Sequence, residues 1–107
     1  MNKRIEMVDI EKSISQVFKY KFYKEEGLLP ISILEDGEIV NLSGYEANVF
    51  FKFSNNNVIS FYCPIVNNVV EVPLEKEYFI TKEKIPFEIV FTNGEQRVTT
   101  FKMYLDI

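Results

Sequence analysis

From Gly27 to Phe53 the chain reads GLLPISILEDGEIVNLSGYEANVFFKF, with apolar residues at alternate positions on both sides of an Asp36-Gly37 turn signal. A period of two sends successive side chains to opposite faces of a strand, whereas an amphipathic helix needs apolar residues three and four apart. The same period runs through most of the sequence, so helix is at most a minor component. Phe18, Tyr20 and Phe22 share one face against Lys19 and Lys21. Leu29, Ile31 and Ile33 form the next row, and Tyr45, Ala47, Val49, Phe51 and Phe53 form the longest. Asn55-Asn56-Asn57 ends that row, because asparagine tolerates the left-handed backbone of tight turns. Ile59, Phe61 and Cys63 continue beyond it.

Two further turn signals divide the rest of the chain. Asn67-Asn68 reads as a two-residue type I′ hairpin loop, and Asn93-Gly94 as another of the same kind. The second joins Ile85, Phe87, Ile89 and Phe91 to a strand carrying Phe101, Met103 and Leu105. Between the hairpins EKEYFITKEK breaks the alternation and reads as a short helical turn or, in preference, an irregular crossover. Short strands punctuated every 8 to 12 residues or so indicate a sandwich or barrel. The expected fold is all-β, an immunoglobulin-like antiparallel β-sandwich of about seven or eight strands, forming a single domain over residues 1–107. A chain of this size buries about 60 to 70% of its unfolded surface. Ten Phe and six Tyr, within a 47% hydrophobic composition, supply the core; Val49, Phe51, Ile89 and Phe101 are its expected centre.

The residue inventory argues against an enzyme. There is no histidine, the commonest general base and zinc ligand, and one cysteine cannot build a thiolate metal site or an internal disulfide. Cys63 reads as a small core residue. The carboxylate groups Glu25-Glu26, Glu35-Asp36 with Glu38, and Glu75 with Glu77 fall in expected loops, where charge is solvated. Four scattered glycines make no phosphate-binding loop. No catalytic, cofactor or metal residue is therefore assigned, and no cofactor is expected.

Twelve basic against sixteen acidic residues give a net charge of −4, which repels phosphate backbones, so nucleic acid is not an expected partner. Lys19, Lys21 and Lys24 lie on the polar phase of an alternating segment and read as the charged rim of an edge strand, which resists aggregation. No apolar run reaches the roughly 18 residues of a membrane span, and the N-terminal residues lack a signal-peptide core. The chain is expected to be made and kept in the cytoplasm.

The candidate binding residues are the aromatics that break the apolar phase. Phe50, Tyr62 and Tyr104 fall opposite their strands' main rows, in company with Val90, and mark either central strands or barrel-like closure on the one hand or a partner-facing patch on the other. The N-terminal segment Ile5 to Ile10, in which Ile5 and Met7 alternate with Glu6 and Val8, is read as an edge strand or a contact arm. A carbohydrate-binding module using tyrosine stacking is the alternative, weakened by the absence of tryptophan.

The stretch quoted above, with its Gly27 to Pro30 lead, ISIL strand, Asp36-Gly37 turn and VNLSGYEANVFFKF strand pair, resembles the N-terminal domain of phage baseplate upper proteins. NNVVEVPL and IPFEIVFTNGEQRVTTFKMYLDI resemble that family's later hairpins. The chain departs from it at TKEKIP, where the family has a glycine before the FEIVF strand. The resemblance implies a sandwich in the virion tail that docks on the central baseplate hub. C-terminal segments absent from this sequence would trimerise and carry the receptor-binding protein. Without heptad patterning, this sequence is expected to give a monomer or weak dimer.

Overall fold

The computed structural model describes residues 5–10, 17–19, 27–75, 78–79, 84–100 and 102–106. Eleven strands are seen among them, in two packed sheets. The first holds β1 (Glu6–Asp9), β3 (Gly27–Glu35), β4 (Glu38–Ile39), β7 (Ile65–Val66) and β8 (Val69–Leu74), in the order β1-β3-β8-β7 with β4 paired to β3. The second holds β2 (Val17–Lys19), β5 (Glu46–Lys52), β6 (Val58–Cys63), β9 (Lys84–Asn93), β10 (Gln96–Thr99) and β11 (Met103–Asp106). Its order is β2-β11-β9-β5-β6, with β10 paired to β9.

The all-β sandwich is as expected, with two differences. The strands number eleven because β4 and β7 are two-residue ladders that pattern reading absorbs into turns, and because β10 and β11 are separate strands along β9. The sheets are not wholly antiparallel either. β1 runs parallel to β3, with Val8 opposite Ile33, and β2 runs parallel to β11, with Phe18 opposite Leu105. Periodicity fixes a strand's faces but says nothing of its partner's direction. Of the expected lysine-bearing edge strand, Val17–Lys19 is indeed at a sheet edge; Tyr20, Lys21, Phe22 and Lys24 lie outside the described residues.

The apolar rows meet between the sheets. Leu29, Ile31, Ile33, Val70, Val72 and Leu74 face Ala47, Val49, Phe51, Ile85, Phe87, Ile89, Phe91, Met103 and Leu105, all buried in one cluster. The expected core residues Val49, Phe51 and Ile89 are at its centre, while Phe101 lies outside the described residues. Phe51 packs against Phe87 at 5.5 Å between ring centroids and edge-on against Phe79 at 5.1 Å. The stretch read as a crossover joins β8 in one sheet to β9 in the other; residues 76–77 and 80–83 of it lie outside the described residues, and Phe79 is buried at the core's end.

Turn chemistry accounts for the connections. Asp36-Gly37 and Asn67-Asn68 have positive φ at both central residues, 51° and 83°, then 52° and 65°, as the type I′ geometry demands. At the third turn the expectation is corrected by one residue. Asn93 pairs with Gln96, so Gly94 and Glu95 are the central residues, and only Gly94 has positive φ, the type II′ pattern with glycine in first place. Pro64 marks the corner where the chain leaves β6 in one sheet for β7 in the other, since it has no N–H for a ladder. Its carbonyl accepts the Glu71 N–H at 2.8 Å.

A bulge separates β10 from β11. Thr99 pairs with Val90 and Met103 with Phe87, so three residues stand opposite two. Thr100 resolves the break: its N–H donates to the Ile89 carbonyl at 3.0 Å and its hydroxyl accepts the Ile89 N–H at 2.9 Å. A buried hydroxyl thus takes the place of a ladder carbonyl.

Candidate functional site

Strand register places Phe50, Tyr62 and Tyr104 on one outer face, that of the six-stranded sheet. Each lies between buried neighbours of the opposite phase: Val49 and Phe51, half-buried Phe61 and Cys63, Met103 and Leu105. Tyr62 pairs with Asn48, Phe50 with Ser60 and Glu88, and Tyr104 with Pro86, so the three aromatics lie on β6, β5 and β11, with β9 between the last two. Tyr62 is 59% exposed, whereas Phe50 and Tyr104 are half-buried. Phe50 and Pro86 share a groove of about 160 Å³ with Lys52, Glu88 and Lys102, so charge interrupts the aromatics. Val90, on the same outer phase, is buried without joining the inter-sheet core.

Ile5 and Met7 belong elsewhere. Met7 pairs with Ser32 on the outer face of the five-stranded sheet, and both Ile5 and Met7 are nearly half exposed. The residues singled out for binding therefore divide between opposite sides of the sandwich. The Met7 side is the more apolar. Alternation against buried Leu29, Ile31 and Ile33 sends Leu28, Pro30 and Leu34 outward on β3, with Pro73 and Val69 on β8, Val66 on β7 and Ile39 on β4. Asp9 and Glu71 are the charged residues among them.

A third feature was not singled out in the sequence. At one end of the sandwich a cavity of about 320 Å³ opens between the sheets, lined by Ile10, Ile33, Val40, Leu42, Phe91 and Val98, with Tyr45 and Glu35. Its walls are pinned by side-chain bonds of long sequence range. The Asn68 amide accepts the Leu42 N–H at 2.7 Å and donates to the Val40 carbonyl at 2.8 Å, fastening the β4–β5 connection to the β7–β8 hairpin. The Asp9 carboxylate accepts the N–H groups of Asp36 and Gly37, at 3.0 and 2.8 Å, and so holds the β3–β4 turn. A shallower concavity adjoins, sharing Glu35 and Val40 and adding Asp36, Glu38 and Ile39. The one sequence signal for the cavity was Leu42, an apolar residue in a connection whose alternation has lapsed; it is buried.

The carboxylates of Glu35, Asp36 and Glu38 are exposed, and among the described residues no group of three His, Cys, Asp or Glu is gathered as a metal site. Burial pushes the Cys63 thiol up to about 12, outweighing the opposing effect of a backbone hydrogen bond with Val49. Of these three concavities, one holds a tyrosine, Tyr45.

An all-β sandwich with pinned turns, two contrasting outer faces and one end cavity is the class of structure these features define. No family model and no curated protein matches the chain. In fold it is similar to the N-terminal domain of phage TP901-1 ORF48. The two superpose with a TM-score of 0.70 at 9% sequence identity, over 95% of this chain and 94% of that one.

Proposed function

We propose that this domain is a structural module of a phage tail baseplate, a rigid body that docks the receptor-binding apparatus to the central baseplate hub. The observation that carries the reading is the shared fold with the phage TP901-1 ORF48 domain over nearly the full length of both chains. The resemblance of the Gly27 to Phe53 segment to baseplate upper proteins points the same way. A close-packed interior has low compressibility and transmits strain, as a part in a force-bearing assembly must. The module works in the virion tail after synthesis in the host cytoplasm, and the receptor-binding protein attaches through C-terminal segments not in this sequence.

The docking face in this reading is the outer side of the five-stranded sheet around Met7, where apolar side chains are least interrupted by charge. The charge-broken face of Phe50, Tyr62 and Tyr104 then stays solvated, and the domain alone is a monomer or weak dimer. The test uses the baseplate hub protein of the phage genome that encodes this chain, immobilised for biolayer interferometry. Binding is expected, with Met7→Glu weakening it about tenfold or more and Tyr62→Glu changing it by less than about twofold. No binding by the unmodified domain refutes the docking function. The reverse ranking of the variants moves the interface to the other sheet.

A further inference from the structure

We propose that the end cavity receives an apolar side chain flanked by lysine or arginine, presented by a protein partner. Three observations carry this: size, lining and charge. An apolar cavity of about 150 Å³ suffices for benzene; this one, at about 320 Å³, takes a phenylalanine or leucine side chain with room for the stem beside it. Its walls are Ile10, Ile33, Val40, Leu42, Phe91 and Val98, which offer an inserted group dispersion contacts on several sides. Among the described residues, the charged groups lining the cavity and the concavity beside it are acidic. Glu35 lines the cavity, Asp36 and Glu38 line the concavity beside it, and neither lining includes a basic residue among those described.

Charge complementarity selects among occupants. An acidic or phosphorylated segment would bring like charge against three carboxylates, and a wholly apolar one would leave them unmatched. A buried apolar anchor ringed by polar contacts is how interfaces concentrate affinity, and here the ring is negative. The inference names an occupant's chemistry and is independent of the baseplate reading, so either can fail alone.

The test is a ¹⁵N–¹H NMR titration of the whole chain with the blocked peptide Ac-Lys-Phe-Lys-NH₂, against Ac-Glu-Phe-Glu-NH₂ and Ac-Lys-Ala-Lys-NH₂. The expected result is saturable shifts confined to the amides of residues 33–45, 91 and 98, with a dissociation constant near the millimolar range. The Glu-flanked and Ala-centred peptides bind about tenfold more weakly, and added salt shrinks the charge effect but not the Phe effect. Glu35→Gln with Glu38→Gln, both at exposed positions, abolishes the preference for Lys flanks. Val98→Arg at the rim suppresses binding of all three. Equal binding of the three peptides, shifts centred elsewhere, or no shift at about 20 mM peptide overturns the proposal. Cellobiose shifting the cavity amides where the peptides do not also overturns it, and assigns the cavity to sugar.

Discussion

Replacing Asn68 tests whether side-chain pins, rather than the hairpin alone, hold the cavity wall. Asn68 has φ of 65° and makes two partly buried hydrogen bonds, to the Leu42 N–H and the Val40 carbonyl. Each such bond is worth about 1 kcal/mol net, and losing the amide leaves two backbone groups to find water in a half-closed site. Alanine adds the cost of a left-handed backbone, about 1 kcal/mol. Asn68→Ala should therefore destabilise by about 3 kcal/mol, and Asn68→Gly, which removes the bonds but tolerates the backbone, by about 2 kcal/mol. The neighbour supplies the control: Asn67 shares the left-handed backbone at φ 52°, so Asn67→Gly should change stability by less than about 0.5 kcal/mol. Urea denaturation monitored by circular dichroism gives the differences, provided the m-value is constant. If Asn68→Gly and Asn67→Gly agree within about 0.5 kcal/mol, the pin contributes nothing and the reasoning fails.

The remaining predictions concern the core, the bulge and the thiol. Phe51→Ala removes a fully buried ring packed on Phe61, Phe79 and Phe87 and should cost about 3 to 5 kcal/mol in the same assay, with a loss under about 1 kcal/mol contradicting its central place. Thr100→Val keeps the shape but takes the acceptor from the Ile89 N–H, costing about 1 to 3 kcal/mol, and Thr100→Ser should recover most of it. Cys63 should resist thiol reagents at pH 8 until the chain unfolds, because burial raises its folded pKa from 9.0 to about 12. The unfolded thiol ionises first as pH rises, so this contribution to stability is intact below about pH 9 and declines from there to about pH 12. Cys63→Ala should show a shallower alkaline decline than the unmodified chain.

Local rules made much of the fold legible. The rows holding Val49, Phe51 and Ile89 followed from alternation, and Asp36, Asn67 and Asn68 were identified as turn residues by their tolerance of positive φ. What stayed hidden depends on contacts far apart in sequence. Asp9 and Asn68 fasten backbone groups 26 to 28 positions away, a distance at which no periodicity speaks. The parallel pairings of β1 with β3 and of β2 with β11 are hidden for the same reason, and the Thr100 bulge because one inserted residue leaves no mark on composition. The aromatics Phe50, Tyr62 and Tyr104 were correctly expected to share a phase. That Met7 lies on the opposite side follows from sheet order, which the sequence does not state.

Those long-range pins bear directly on binding. The cavity draws its lining from β1's end, β3, the β4–β5 connection, β9 and β10, so its shape depends on how separate segments are held together. Asn68 fixes Val40 and Leu42 on one wall, and Asp9 fixes the turn that carries the acidic lip. Between them, the Ile10 N–H bonds to the Leu34 carbonyl and the Val40 N–H to the Ile33 carbonyl. Each wall is thus tied to backbone before any partner arrives. Ordering a loose side chain at an interface costs about 0.5 to 1.5 kcal/mol, and a pocket whose walls are already fixed avoids much of that cost. Asp36, Asn67 and Asn68 shape their turns through positive φ; Asn68 also reaches across to the β4–β5 connection, and the strand residue Asp9 holds the Asp36-Gly37 turn, so in this fold the residues that set the connections also set the cavity's walls.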